Sequence, residues 1–127
     1  MNVPKVLALD YGTVRIGVAV SAGTLADPLV ILPNDDSIFQ TVVQICSENE
    51  VELILVGLSE NLMAEKTKEF VSELRKHVSI PIIYTDETLS SHTVHQKLLV
   101  LKKSTRSGKV DHYAAAEFLQ NWLDENY

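Results

Sequence analysis

Leu7-Ala8-Leu9-Asp10-Tyr11-Gly12-Thr13-Val14-Arg15-Ile16-Gly17-Val18-Ala19-Val20 is the stretch on which the reading of this chain turns. An apolar run ends in a carboxylate, passes through Tyr-Gly-Thr and enters a second apolar run. Both runs are rich in Val, Ile and Leu, which predicts two strands joined by a tight connection. Asp10 then stands where the first strand leaves the core, on a rigid element able to present it to a cation or phosphate. Asp and Gly also favour turns for local reasons alone. From this stretch both readings stand.

Working outward, Val3–Asp10 and Arg15–Ser21 form an expected antiparallel pair, and Pro28–Leu32 a third strand closed by Pro33. Asn34, Asp35 and Asp36 are N-cap candidates for a helix reaching about Glu50, with Ile38, Val42, Ile45 and Cys46 on one face. Val51–Gly57 is nearly all apolar, as in a central strand covered on both faces. A helix over Ala64–His77, with Phe70, Val71 and Leu74 as its buried stripe, precedes a strand over Ile80–Thr85. The pattern then predicts a helix over Leu89–Lys103, a polar loop over Ser104–Lys109 and a last helix over Asp111–Glu125. Three meander strands followed by alternating helices and strands imply a mixed sheet flanked by helices. Right-handed crossovers place Val51–Gly57 beside the first strand, in a three-layer α/β/α domain spanning residues 1–127.

The 127 residues are 46% hydrophobic and 22% charged, the composition of an ordinary globular domain. No apolar run approaches the roughly 20 residues of a membrane span. The first residues lack a basic region leading into an apolar core, so a secretory leader is not expected and a cytoplasmic location is. The single cysteine, Cys46, lies among Val42, Val43 and Ile45 and reads as core. A net charge of −6 argues at first against a nucleic-acid partner. Its distribution reverses that argument. Between Thr88 and Val110 there is no acidic residue, while Lys97, Lys102, Lys103, Arg106 and Lys109 all fall there. Such a strip is suited to a phosphate backbone, although a charge run also serves simply as a solvated face.

Three acidic sites occupy comparable places in this architecture: Asp10 ending the first strand, Asp86-Glu87 ending the last, and Asp111 opening the final helix. Parallel strands deliver their carboxyl ends to one edge, where open α/β sheets bind ligands. Ala114, Ala115 and Ala116 lack bulk and let the final helix approach the sheet. Like charges brought together favour a bound cation, and hard oxygen donors without cysteine suit Mg²⁺ or Mn²⁺. Taken singly, each acid also reads as a helix or turn residue. Arg15 follows the first turn and is a candidate phosphate contact or structural ion-pair partner. His112 adjoins Asp111 and could exchange a proton there.

At this point the chain resembles the YqgF family, also called RuvX, of Holliday-junction resolvases and pre-16S rRNA nucleases with a ribonuclease H-like fold. The likeness rests on LALDYGTVRIGVAVS, Ala26-Asp27-Pro28-Leu29, VGLSEN, DETLSS and VDHYAAAEFLQNWL, in the family's order and spacing along nearly the whole chain. It implies a metal-dependent endonuclease acting on pre-rRNA or branched DNA, as monomer or homodimer. Its acidic triad maps onto Asp10, the Asp86-Glu87 pair and Asp111, with Glu87 preferred over Asp86 for its reach. Arg15, Lys97, Lys102, Lys103, Arg106 and Lys109 would hold nucleic acid. The chain departs from the family pattern at Ser59, where the family has Pro, at Ala64-Glu65 in place of Asp-Gly, and at Thr88, where it has Arg. The last change removes a guanidinium suited to phosphate. A non-catalytic nucleic-acid-binding or ribosome-associated module is the alternative. Leu-Asp-x-Gly-Thr also resembles the phosphate hairpin of actin-like ATPases, but those need two such domains and this chain has length for one.

Overall fold

In the computed structural model, which describes residues 3–58, 63–86 and 110–127, strand β1 (Val6–Asp10) lies at the centre of a five-stranded sheet. The other strands are β2 (Arg15–Ala22), β3 (Leu25–Pro33), β4 (Leu53–Leu58) and β5 (Ile82–Asp86), in the order β3-β2-β1-β4-β5. β1 pairs antiparallel with β2, through Leu7↔Val20 and Asp10↔Gly17, and parallel with β4, through Val6↔Leu53 and Leu9↔Val56. β4 pairs parallel with β5 from Ile54↔Ile82 to Leu58↔Asp86. The sheet is therefore mixed, with β4 beside β1 as the crossover argument requires. Four strands, β1, β3, β4 and β5, point their carboxyl ends at one edge.

Helices α1 (Ile38–Glu48) and α2 (Met63–Leu74) cover one face, and α3 (Val110–Asn126) the other. The two-residue period of β1 divides the core. Leu7 and Leu9 join Ile38, Val42, Cys46, Phe70, Val71 and Leu74, while Val6 and Ala8 join Ala115, Phe118, Leu119 and Leu123. Each large side chain buried in this way contributes about 1.5–3 kcal/mol. No helix among the described residues is long and apolar enough to cross a membrane.

Several boundaries shift from the sequence pattern. β3 begins at Leu25 rather than Pro28, because a tight turn at Gly23, with φ 61°, brings Leu25 opposite Ala22. A register shift at Val18/Ala19, which pair with Val30 and Pro28, leaves Leu29 as an extra residue in this edge strand. Such a bulge, with prolines at Pro28 and Pro33, discourages further strand addition. α1 is preceded by Ser37, whose side chain makes no cap bond. Asp35 Oδ1 instead accepts from Ser37 N at 3.0 Å and Ser37 Oγ at 2.6 Å, which holds the Asp35 carboxyl below its usual range. α2 stops at Leu74, and the chain turns through Arg75–His77. The helix expected over Leu89–Lys103 and the loop over Ser104–Lys109 lie outside the described residues.

At its far end α1 closes with the reciprocal pattern of a Schellman motif. Val51 N donates to Cys46 O at 2.9 Å and Glu50 N to Ser47 O at 3.3 Å. The motif needs a left-handed residue, and Glu50 takes that place with φ 53°. Cys46 is buried as expected, and burial pushes its thiol up to about 11.

Candidate functional site

Asp10 ends β1 half-buried, opposite Gly17 of β2, which adds no side chain beside it. It follows Val6 and Ala8 in the strand's period and so belongs to the α3 face of the sheet. The next residue, Tyr11, goes to the other face, where its ring meets Phe70 of α2 with centroids 5.1 Å apart. The end of β1 is thus held from both sides, so the carboxylate at Asp10 is placed by the sheet and not by a loop.

The same edge collects the ends of β4 and β5. Leu9 pairs with Val56 and Val56 with Tyr84, so the level of Asp10 corresponds to Thr85, with Asp86 one residue beyond. Two strand spacings, about 9.6 Å, separate the two outer parallel strands across β4. Asp86 therefore has its backbone at the carboxyl edge with Asp10, as the sequence predicts.

α3 reaches this edge from above. Phe118 lies against Gly57, where an added Cβ would stand 2.8 Å from Phe118 Cε2. Just over two turns earlier, about 12 Å along the axis, the helix begins at Val110. Its far half descends toward the opposite edge, where Gln120 Oε1 accepts from Ala26 N at 2.9 Å and Gln120 Nε2 donates to Thr24 O at 2.8 Å. The backbone of Asp111 consequently sits in the first turn of α3, on the side of the sheet to which Asp10 belongs. Alanines were expected to permit the close approach. Ala115 is indeed buried, but the tightest fit is Gly57 beneath Phe118. A glycine one residue before the end of an otherwise apolar strand was the available signal.

Arg15 is exposed at the start of β2, paired with Pro33 of β3. The turn between Asp10 and Arg15 needs glycine at position 12, because a Cβ there would collide with the Arg15 carbonyl oxygen. Asn34, expected as a helix cap, serves this turn instead. Its Nδ2 donates to Gly12 O at 2.8 Å and its backbone N to Val14 O at 2.9 Å. Glu87, Thr88, Lys97, Lys102, Lys103, Arg106 and Lys109, together with Ser59, lie outside the described residues.

The donor chemistry at this edge fits a hard divalent cation. Asp10 supplies a carboxylate held by the sheet, the backbone of Asp86 ends β5 at the same edge, and that of Asp111 lies in the first turn of α3, on the same side of the sheet as Asp10. The one thiol, Cys46, is buried in the α1/α2 cluster on the opposite face. Among the described residues no three His, Cys, Asp or Glu side chains are close enough together to hold an ion. Asp10 is the only member of the expected carboxylate set whose side chain is described.

A mixed five-stranded sheet of this order, with helices on both faces, is a ribonuclease H-like fold. RuvC of T. thermophilus, solved in complex with a Holliday junction substrate, superposes with a TM-score of 0.65 at 14% identity, over 97% of this chain and 95% of that one. The Fowlpox virus resolvase, solved with Holliday junction DNA, gives 0.59 at 10% identity, over 95% and 97%. At such identities the likeness concerns the fold. Sequence goes further: residues 4–125 match the RuvX model, described as Holliday junction resolvase, and the chain belongs to that family. It is 36% identical to a protein of Sulfurihydrogenibium sp. named "Putative pre-16S rRNA nuclease", over 94% of this chain and 90% of that protein. A protein of the same name from Corynebacterium jeikeium is 38% identical, over 93% and 84%.

Proposed function

We propose that this chain is a Mg²⁺- or Mn²⁺-dependent endonuclease that hydrolyses phosphodiester bonds in structured nucleic acid, with the 5′ region of pre-16S rRNA as its substrate in the cytoplasm. The observation that carries this reading is the placement of Asp10 at the carboxyl end of β1, on the edge where β5 ends and α3 begins. Family membership supplies the chemistry to which such an edge is suited.

Asp10, Glu87 and Asp111 are the proposed ligands, with Asp86 adjoining. Glu87 is preferred over Asp86 for the greater reach of its side chain. A bound divalent ion supplies neutralisation of the gathered carboxylates, acidification of the attacking water and stabilisation of the leaving oxygen. The protein's part is geometric. β1 fixes Asp10, the Gly57–Phe118 contact sets the height of α3, and with it the start of the helix that carries Asp111. Arg15 and the strip formed by Lys97, Lys102, Lys103, Arg106 and Lys109 hold the phosphate backbone without reading its sequence.

Cleavage of a pre-16S leader transcript in Mn²⁺, by the parent chain and by Asp10→Asn, tests this reading. The parent is expected to cut and the variant to lose at least about 100-fold in rate, since a neutral amide keeps shape but not the charge a hard cation requires. Full cleavage by folded Asp10→Asn would overturn it. The likeness to junction-bound resolvases motivates a second substrate, a four-way DNA junction, whose symmetrical resolution requires two active sites and hence a homodimer. Binding of either substrate without cleavage would instead favour a non-catalytic ribosome-associated module.

A further inference from the structure

Asn34 ends up far from the role its sequence context predicts. It stands just after β3, yet its two hydrogen bonds go to a turn some twenty residues earlier, at Gly12 O and Val14 O. Those two carbonyls bracket Thr13, so a single residue grips the turn on either side of its tip. Asn34 is itself partly buried, which strengthens a hydrogen bond relative to one in open water. The turn it grips is narrow, since Gly12 packs directly against the Arg15 carbonyl. Thr13, Val14 and Arg15 are all exposed, immediately beyond Asp10.

The sheet already fixes Asp10 through Gly17 and through the strands on either side of β1. Asn34 is therefore not needed to hold the carboxylate. What it holds is the segment after Asp10, including the backbone from which Arg15 projects, through the turn and through the neighbouring Arg15↔Pro33 pair.

We infer that Asn34 is a positioning residue for nucleic-acid binding: it fixes the β1–β2 turn so that Arg15 meets a phosphate of the strand lying at the Asp10 edge. The inference rests on the proposed function, in particular on Arg15 as a phosphate contact. An arginine on a slack turn pays the ordering cost at each encounter, whereas one on a pinned turn is ordered beforehand. The side-chain amide is the group that matters. The backbone bond to Val14 O survives replacement by any residue but proline, whereas only a side-chain donor of this reach satisfies Gly12 O.

The test is a double-mutant cycle read by fluorescence anisotropy on a labelled pre-16S leader hairpin across a salt series. Arg15→Ala is expected to weaken binding about tenfold and to flatten the log–log salt slope by about 0.7–0.9, as for one lost phosphate contact. Asn34→Ala should weaken binding in the same direction by a smaller factor, and also flatten the slope although it removes no charge. In the Arg15→Ala background it should do nothing further. Asn34→Leu, which keeps size, lacks the side-chain donor and adds no charge, should behave like Asn34→Ala and serves if the alanine variant does not fold. A residue with only a structural role would lower the melting temperature and leave the slope unchanged, which would overturn the inference. So would effects of Arg15→Ala and Asn34→Ala that simply add. Parent-like binding by Arg15→Ala would remove the phosphate-contact reading itself, and this inference with it.

Discussion

Both ends of the sheet are braced by hydrogen bonds, but they present different groups to solvent. At the amino end of β1 three closures tie the chain down. Ser21, fully buried, accepts from Val6 N at 2.8 Å and donates to Pro4 O at 3.4 Å. Gln120 clasps the β2–β3 turn, and α1 closes in its Schellman motif just before β4. At the carboxyl end the chain places acidic residues, half-exposes Asp10 and leaves Val14 with 74% of its surface in solvent. The carboxylates proposed to meet at that edge would repel one another until a cation binds, and the closures at the other end are the part of the sheet that offsets such a cost.

Four substitutions and one titration probe this division. The largest effect is expected at Asp10. Asp10→Asn should melt no lower than the parent in chelator, because it relieves repulsion, and should lose the rise in melting temperature that Mn²⁺ gives the parent; calorimetry with and without metal decides. Gly57→Ala comes next. The added methyl must displace the Phe118 ring, at a cost of about 1–3 kcal/mol, and cleavage should fall along with stability because the start of α3 shifts. Urea unfolding alongside the rate measurement separates the two losses.

Ser21→Ala should cost a similar 1–3 kcal/mol or so by stranding the buried Val6 N–H, yet leave cleavage per folded molecule unchanged. If its activity dropped as for Gly57→Ala, the two ends would not be separable. Glu50→Gly should stabilise by up to about 1 kcal/mol, since glycine takes a positive φ without the side-chain penalty. Cys46 gives the smallest effect. Its thiol ionises near 9.0 when free and at about 11 in the fold, so its contribution is intact below 9.0 and fades as pH climbs toward 11. Native protein should accordingly resist iodoacetamide at neutral pH and react once unfolded.

Much of this was legible in the sequence because it is local and periodic. The alternation of Val6 to Leu9 between two clusters, the apolar run of β4 and the stripe of Phe70, Val71 and Leu74 follow from side-chain geometry alone. The edge that gathers Asp10 and Asp86 followed from parallel strands. Asn34 was not legible, because capping preferences describe what a residue offers its immediate neighbours, and its partner at Gly12 is 22 residues away. The start of β3 was hidden for a related reason: pairing with β2, not the apolar content of Leu25-Ala26-Asp27, extends it. Gly57 under Phe118 joins residues 61 positions apart: a glycine in an apolar strand signals a close approach, but its local pattern does not name the partner.

α3 carries the chain's single tryptophan, Trp122, which packs on the Val6–Leu55 side of the core with its ring 6.0 Å from that of Tyr127. No other residue of the protein shares its emission band, and the helix that bears it is the one that links the two ends of the sheet. Fluorescence therefore reports the seating of α3 without contribution from the α1/α2 layer. The molecule holds an intrinsic optical gauge of the element that carries Asp111.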